Sequence, residues 1–450
     1  MPSGLPKKYN LFTAISMVVG IVIGSGVFFK AEKVLSVTGG DIKLGLLSWA
    51  LGGLIMLICT YTFSILAGRY EYVSGLVDYA ETALGKNYAY YVGWFMSLIY
   101  YPSLAATLAW VSARYTCLLL GFSSGGGEAL TLTAFFLIAA FSVNTLAPVI
   151  AGKVQITSTV IKLIPLVLMG IVGTVAGLKN GILAENLSGG TIAAHGVTVS
   201  FPAALAATAF AYDGWIVATS INAELCDAKR NLPKALLTGS FVVIVAYLLY
   251  YTGLSGALPK VYFIENGETA IRFAFEALFS SVGGVLLIVF VIISCLGTLN
   301  GIMLGCTRSL YSLAIRKEGP RPFLFSQVDG ATGIPANAGI WGLFIAVCWL
   351  VYFYGASFGK WFGDFGFDIT ELPAITMYAL YIPIFCGMMA KEKQLDGFRR
   401  FLMPMFATIS CLFILITACY AHRGEIFAYY LVVFLLMIPA YFFNKKNRSV

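Results

Sequence analysis

The sequence predicts an all-α integral membrane protein with about twelve transmembrane helices. Of its 450 residues, 59% are hydrophobic and only 11% are charged, and the mean hydropathy is +0.86. Soluble domains carry about 25% charged residues, so no soluble fold class fits this composition. A helix spans a bilayer with about 20 apolar residues. By that length the predicted spans, in chain order, lie near residues 10–36, 43–68, 88–120, 129–147, 152–178, 199–224, 235–257, 282–315, 336–356, 362–389, 398–420 and 424–443.

Two predicted spans are interrupted by glycine and polar residues, at matching places in the two halves of the chain. A helix broken at membrane depth leaves N–H and C=O groups unpaired, and a lined cavity or a ligand must satisfy them. Paired breaks of this kind therefore indicate a transporter's substrate site. The first break comprises Ile23, Gly24, Ser25, Gly26 and Val27, and the second comprises Phe210, Ala211, Tyr212, Asp213 and Gly214.

The positions of the breaks also predict an internal repeat. If they belong to helices one and six, the repeating unit has five helices. An odd number of spans inserts the second copy in the opposite orientation, which brings both breaks to the bilayer midplane. The predicted organisation is a 5+5 inverted repeat over residues 10–178 and 199–389, followed by two helices within 398–443.

The distribution of basic residues predicts the orientation. With the N-terminus inside, 18 of the 29 lysines and arginines fall in cytoplasmic segments and 9 in outer segments, while Lys162 and Arg308 lie within spans. Cytoplasmic loops of membrane proteins carry such an excess. We therefore expect a multi-pass protein of the cell membrane with both termini in the cytoplasm. This excess of basic residues explains the net charge of +8, and we expect no nucleic-acid partner.

Metal and enzyme chemistry have little support in the sequence. The nine cysteines form no Cys-x-x-Cys pair, and the two histidines, His195 and His422, fall in predicted outer loops. No paired carboxylates or Ser/His pair can be placed within the spans, so an intramembrane enzyme is disfavoured. We expect no metal and no cofactor.

The polarity of the two breaks predicts the ligand. The half-helix that begins after Gly26 presents free N–H groups that attract a carboxylate. The carbonyls of Phe210 and Ala211 can accept from an ammonium. Together they suit a zwitterion such as a free amino acid. Close helix packing is the alternative explanation of the glycines, and Asp213 either contacts the substrate or bonds the loosened backbone of its own helix.

Lys162 is the ionisable residue of the predicted fifth helix. A buried ammonium needs acceptors, and the carbonyls of residues 20–24 or the hydroxyls of Ser294 and Thr298 could supply them. The alternative is a lysine that snorkels to the interface. Arg308 is expected to reach the cytoplasmic surface, and tyrosines such as Tyr100 and Tyr250 are expected to be interface anchors. Tyr212 and Trp215, at the second break, are candidates for gating.

Several segments, spread in order across the chain, match the motifs of one transporter family. They are Val22–Phe28, Val154-Gln155 with Lys162, Phe210–Trp215, Glu224 with Asn231-Leu232-Pro233, and Gly297–Gly301 with Arg308 and Tyr311. At these residues the sequence resembles the L-amino acid transporter family of the amino acid, polyamine and organocation superfamily.

The resemblance implies a leucine-transporter-like fold and sodium-independent exchange of L-amino acids by alternating access. It implies that the backbone of Ile23–Val27 takes the carboxylate and that of Phe210–Asp213 the amino group. It also implies that Lys162 replaces a sodium ion and ties the first, fifth and eighth helices together. Animal members join a heavy chain through a cysteine in the loop between helices three and four. That loop, about 121–128, has no cysteine here, so we expect no disulfide-linked heavy chain.

These observations favour a bacterial inner-membrane exchanger of small neutral L-amino acids such as alanine, serine and cysteine. A cationic amino acid, amine or polyamine transporter that uses Asp213 is the second hypothesis. A channel or a nutrient-sensing receptor on the same fold is the third. Saturable counterflow would separate an exchanger from a channel.

Overall fold

In the computed structural model, the regular elements of the described residues are helical. These residues are 7, 9–24, 26–71, 74–188, 199–267, 269–359, 361–363 and 366–448. Eleven of their helices are long and apolar enough to span a membrane, and a twelfth span results if one bent pair is counted as a unit. The predicted number of about twelve is confirmed.

The helices follow one another through short connections. They are α1 Leu11–Val22, α2 Gly26–Val37, α3 Ile42–Arg69, α4 Leu76–Leu84, α5 Lys86–Leu120, α6 Gly127–Leu146, α7 Pro148–Lys179, α8 Ile182–Ser188, α9 Phe201–Ala211, α10 Ala228–Ala257, α11 Lys260–Asn266, α12 Thr269–Ala314, α13 Pro322–Phe325, α14 Ala336–Gly359, α15 Leu372–Lys391, α16 Phe398–Ala421 and α17 Ile426–Arg448. A 3₁₀ helix, Trp215–Glu224, follows α9. Non-helical backbone at Phe279 and Ser280 separates the first part of α12 from its spanning part.

Polar side chains define where the interrupted spans begin. Asn10 caps α1 by accepting from the Thr13 N–H at 2.9 Å, and Ser200 caps α9 by accepting from the Ala203 N–H at 3.3 Å. Each cap satisfies one of the N–H groups that a helix start leaves without a partner. The two caps therefore fix the residues at which the interrupted spans begin.

The first break separates α1 from α2, which are bent by 43°. Ile23, with ψ of 85°, ends the helical backbone of α1, and α2 begins at Gly26. Ser25 lies outside the described residues. The break is therefore where the glycines and the serine predicted it.

The second break follows α9 and changes the type of helix. Tyr212, Asp213 and Gly214 form a turn at the predicted break of the span 199–224, and the chain continues as a 3₁₀ helix. Gly214 has φ of 103°, a left-handed conformation that side chains with Cβ rarely adopt. A Cβ there would also lie 3.0 Å from Cγ2 of Ile21 on α1. Glycine is required here both for the turn and for the approach of the two breaks.

The broken helices occupy the centre of the bundle. α1 packs against α7, α10, α12 and the 3₁₀ helix, while α9 packs against α2, α3 and α16. Small residues permit these close approaches, as at the α7–α10 crossing, where a Cβ on Gly253 would lie 2.1 Å from the Met169 carbonyl oxygen. The packing surrounds both breaks with helices on all sides.

Candidate binding site at the two helix breaks

The two breaks lie side by side and line one cavity with an empty volume of about 420 Å³. Their proximity shows in Gly26, where a Cβ would lie 2.9 Å from the Ala211 Cα. The predicted residues that line the cavity are Gly24, Gly26, Phe210, Ala211, Asp213, Gly214 and Thr298. The remaining wall consists of Ile21, Val22, Leu104, Thr107, Leu108 and Ile302. The sequence did not indicate the residues that α5 contributes.

Hydroxyl groups on α12 bind the loosened carbonyls of the first break. Ser294 Oγ lies 3.3 Å from the Ile23 oxygen and 3.1 Å from the Gly24 oxygen, and donates to these carbonyls. Thr298 Oγ1 lies 3.2 Å from the carbonyl oxygens of both Gly20 and Ile23. Ser294 was predicted as an acceptor for Lys162, and instead its hydroxyl bonds the break itself. The first N–H groups of α2 have no acceptor within their own helix, as at the start of any helix.

Lys162 is fully buried on α7 and connects three helices. Its ammonium donates to the Gly20 carbonyl at 2.6 Å and to Thr298 Oγ1 at 3.1 Å. These bonds join α7 to α1 and α12, which are the predicted first and eighth helices. The snorkelling alternative is wrong, because the side chain has no exposed surface and ends between the helices.

Asp213 is one of the residues that line the cavity. Its side chain is buried, and Oδ2 accepts from the Tyr100 hydroxyl on α5 at 2.7 Å. Oδ1 has no hydrogen-bond partner among the described residues. A buried polar atom without a partner is costly. Asp213 can therefore accept one more donor from a bound ligand.

Tyr247, which the sequence did not single out, bridges the two breaks. Its hydroxyl lies 3.0 Å from the Val22 carbonyl oxygen and 3.1 Å from the Ala211 carbonyl oxygen. The Phe210 carbonyl accepts from the Asp213 N–H at 3.1 Å. Both predicted ammonium acceptors thus already have one donor, and each carbonyl retains a second lone pair.

The other residues predicted for the site are buried in the packing around the cavity. Ile23, Val27, Tyr212 and Trp215 are buried but are not among the residues that line the cavity. The Tyr212 ring packs on Trp49 and Tyr247, with ring centroids 5.7 and 5.0 Å apart. Trp215 packs on Phe63 and Tyr381. This packing argues against a gating contact with a ligand in the cavity.

Most tyrosines near the site are core residues. Tyr100 and Tyr250 have no exposed surface, so the expectation that they anchor the membrane interface is wrong. Tyr100 is held by Asp213, and Tyr250 packs edge-on against Phe28 of α2. The positions of these tyrosines along the sequence do not show whether a side chain lies at the membrane interface or is buried inside the helix bundle.

Contacts around Glu224 and Arg308 close the end of the bundle where Tyr9 lies. The Tyr9 N–H donates to the Glu224 carbonyl at 3.0 Å, and the Cys226 N–H donates to the Tyr9 carbonyl at 2.9 Å. Arg308 pairs with the Glu224 carboxylate at 2.7 Å and is 20% exposed. The pair leaves Arg308 partly exposed at the end of the bundle where Tyr9 lies, and Arg308 is not among the residues that line the cavity at the breaks. Cavities of about 770 and 660 Å³ flank the pair.

A cluster of charged side chains around Glu371 contacts the middle of α2; we call it the Glu371 cluster. The Glu371 carboxylate is 1% exposed and bonds Lys30, Lys33 at 2.6 Å and His422 Nε2 at 2.9 Å. His422, predicted in a loop, is the residue after α16 and is largely buried. Burial raises the pKa of Glu371, but Lys30, His422 and Lys33 outweigh burial and hold the pKa well below its usual range.

The stability of the Glu371 cluster is expected to depend on pH through His422. Burial lowers the pKa of His422, but its bonds to Glu371 and Glu425 outweigh burial and raise the pKa from 6.5 to about 9. A raised pKa means that the contribution to stability is fully present below pH 6.5 and is lost as the pH rises through about 9. We expect His422→Gln to lower the melting temperature at neutral pH by about 2 °C or more. The difference between variant and wild type should vanish above about pH 10, as scanning fluorimetry would show. A difference that does not change with pH would contradict the assignment.

No group of three or more His, Cys, Asp or Glu side chains in the described ranges could hold a metal ion. The cavity at the breaks is lined by Gly24 and Gly26 of the first break and by Phe210, Ala211 and Asp213 of the second, and the Lys162 ammonium bonds its lining residue Thr298. Such a cavity can orient a small zwitterion.

The chain resembles known proteins over nearly its whole length. The family model described as amino acid permease matches residues 9–448. The serine/threonine exchanger SteT of Bacillus subtilis (strain 168) is 27% identical over 454 residues, which cover 99% of each chain. The b(0,+)-type amino acid transporter 1 of Mus musculus is 26% identical over 78% of this chain and 71% of its own length.

One solved structure shows the same fold. The crystal structure of MhsT in complex with L-phenylalanine aligns with a TM-score of 0.62 over 93% of this chain and 100% of its own. The two sequences are 16% identical, so the likeness concerns the fold alone. MhsT has a leucine-transporter-like fold, and that prediction is confirmed. The residue limits of the two repeats stay a prediction.

Proposed function

This chain belongs to the amino acid permease family, and from that premise we propose that it exchanges small neutral L-amino acids across the cell membrane without sodium. The resemblance to L-amino acid transporters is confirmed by its relatives, and the prediction that the chain is a transporter and not an enzyme is confirmed with it. The substrates, the obligatory exchange and the independence of sodium form the proposal. Alanine, serine and cysteine are the substrates that we propose.

The cavity at the two breaks carries the proposal. It is lined by Gly26 at the start of α2 and by Phe210 and Ala211 of the second break, which supports the binding of the two ends of an amino acid zwitterion by groups of complementary partial charge. Leu104, Leu108 and Ile302 form an apolar wall on the third side, with the Thr107 hydroxyl among them. A wall of this kind accommodates a short apolar or hydroxyl side chain and offers no partner to a second carboxylate.

The position of Lys162 supports the independence of sodium. Its ammonium supplies a fixed positive charge to the Gly20 carbonyl and Thr298 Oγ1 at the first break. A sodium ion bound there would need the same oxygen atoms as ligands. We therefore propose that Lys162 holds the first break in place during every cycle.

We further propose that the chain works alone in the cell membrane, with both termini in the cytoplasm. The excess of lysine and arginine on that side supports the orientation. Cys117, which lies nearest to the loop between α5 and α6, is fully buried and cannot reach another chain. In this orientation the Glu371 cluster faces outward and the Glu224–Arg308 pair faces the cytoplasm.

The test is counterflow in proteoliposomes. Vesicles preloaded with L-alanine should take up labelled L-serine equally well in sodium and in choline buffer, and empty vesicles should take up little. Lys153→Met, an exposed lysine on the same helix as Lys162, is a suitable control protein because it leaves the cavity intact. Equal uptake into empty vesicles would refute exchange, and uptake that requires sodium would refute the proposed role of Lys162.

The free oxygen of Asp213 favours a second candidate, a carrier of cationic amino acids or amines. Asp213 lines the cavity, and we propose that its buried Oδ1 binds a distal ammonium once the ligand is in place. Under this candidate, arginine or putrescine should inhibit serine uptake more strongly than alanine does. Asp213→Asn should then abolish that inhibition, since an uncharged amide oxygen attracts a cation less. Weak inhibition of wild-type serine uptake by both arginine and putrescine would favour neutral amino acids as the substrates.

A further inference from the structure

The carboxyl group of Asp213 is buried at the second break with few hydrogen-bond donors around it. The residue is 7% exposed. Its Oδ2 accepts from the Tyr100 hydroxyl of α5 at 2.7 Å, and its Oδ1 has no partner among the described residues. An ionised carboxylate offers about four lone-pair positions to donors. One hydrogen bond is therefore little support for a full negative charge in the interior of the bundle.

No positively charged side chain pairs with Asp213 in the part of the chain that the structure describes. Lys162 gives its hydrogen bonds to the Gly20 carbonyl and to Thr298. Lys30, the other lysine near the cavity, bonds Glu371. A buried charge without an opposite charge is strongly destabilising, and a carboxyl group avoids that cost when it takes up a proton.

The titratable groups on the helices around Asp213 are phenols and thiols, which carry no charge at neutral pH. They are Tyr100 and Tyr101 on α5, Tyr247 on α10, Tyr378 and Tyr381 on α15, Cys59 on α3 and Cys411 on α16. The hydroxyls of Tyr378 and Tyr381 are buried and, like Asp213 Oδ1, have no partner among the described residues. A phenol oxygen can accept from the O–H of a protonated carboxyl group. These surroundings suit a neutral Asp213.

We propose that Asp213 is a proton-binding site of this transporter. The carboxyl group carries a proton while the cavity holds a neutral amino acid, so no uncompensated charge lies at the centre of the bundle. At high pH the proton passes to water when the cavity is open, and the carboxylate remains. A cationic amino acid would displace the proton to water in the same way, because its distal ammonium supplies the positive charge. This inference rests on the proposed exchange and adds a second ligand, the proton, to the same cavity.

The pH dependence of neutral exchange tests the proton site. Serine counterflow into alanine-loaded proteoliposomes is measured with the same pH on both sides, from about pH 5 to about pH 9, where buried carboxyl groups titrate. Counterflow should fall by about tenfold for each pH unit above the midpoint, since ionisation of one group stops the cycle. Asp213→Asn, whose amide is uncharged at every pH, should lose this decline. A wild-type rate that does not change with pH would overturn the proposal, and so would a decline that persists in Asp213→Asn, because it would come from another group such as Lys162.

Three further variants locate the titrating group. Tyr100→Phe removes the donor that stabilises the ionised carboxylate, so the decline should begin about one pH unit or more higher. Tyr250→Phe removes a buried hydroxyl that has no partner among the described residues, and the midpoint should stay where it is. His422→Gln removes the group whose pKa is about 9, and the decline should persist. An unchanged midpoint in Tyr100→Phe would contradict the assignment to Asp213.

Infrared difference spectroscopy detects the bound proton without any transport. At about pH 5, where exposed carboxyl groups are largely ionised, the purified wild type should show the carbonyl stretch of a protonated carboxyl group. The band should be missing in Asp213→Asn and present in Asp329→Asn, which changes an exposed aspartate. If Asp213→Asn does not fold, loss of the wild-type band with rising pH, at higher pH in Tyr100→Phe, takes its place. Absence of the band would overturn the proton site, whereas the band in a protein that exchanges neither alanine nor serine would retain the site and reject the proposed substrates.

Discussion

Replacement of Lys162 by methionine is expected to abolish exchange while the protein stays folded in the membrane. The ammonium makes two hydrogen bonds that hold the first break to α7 and α12. Hydrogen bonds of charged groups contribute about 1.5–3 kcal/mol each. Loss of both bonds should slow counterflow by about 100-fold or more, since about 1.4 kcal/mol corresponds to a factor of ten. The break would then move independently of the helices that support it.

The same substitution should have little effect on folding. The ammonium is fully buried and gives up its hydration on folding, which offsets much of what its two hydrogen bonds contribute. Thr298 Oγ1 still bonds the Gly20 carbonyl in the variant, so the melting temperature of Lys162→Met should stay close to that of the wild type. Lys153→Met, which changes an exposed lysine of the same helix, should retain full exchange. Normal exchange by Lys162→Met would show that Lys162 contributes only to the packing of the helices.

Gly26→Ala is expected to have the second largest effect, through the distance between the two breaks. The new Cβ would lie 2.9 Å from the Ala211 Cα, a backbone atom that cannot rotate away. α2 and α9 must then separate, and such overpacking costs about 1–3 kcal/mol. We expect counterflow to fall by about 10- to 100-fold, with a weaker apparent affinity for serine.

A graded series of glycine variants tests this reasoning. Gly24→Ala meets the side chain of Thr298 at 3.1 Å, and that side chain can give way, so its effect should be smaller than that of Gly26→Ala. Gly152→Ala on α7 meets no atom within 4 Å and should behave as the wild type. Equal activity of Gly24→Ala and Gly26→Ala would show that the spacing of the breaks does not limit transport.

The fold could be predicted largely from the sequence because its signals are local. Long apolar runs identified the spans, and the glycines identified both breaks to within a few residues. Beyond Gly214 the sequence predicted the rest of a broken span without its helix type, and the structure has a 3₁₀ helix there. A 3₁₀ helix and an α-helix share much of their composition, and here the surrounding helices select between them.

The candidate site could be predicted only in part. Lys162 and Thr298 were correctly brought together, because a lysine inside a span must find acceptors. Tyr247 was missed, since a tyrosine in a span carries no sign of which carbonyls its hydroxyl will meet. Glu371 was missed for a related reason, because at a helix end it resembles an ordinary solvated carboxylate. Only its burial against α2 and α16 distinguishes it.

The sequence by itself determined the class of the protein and the two breaks, and it predicts a zwitterionic ligand for them. Each of these follows from the composition or backbone preference of a short stretch. Tertiary structure decided which groups meet, as where Gly20 of α1, Lys162 of α7 and Thr298 of α12 share one set of hydrogen bonds. Partners so far apart in the chain are chosen by the packing of whole helices, in which every buried polar group must find a partner.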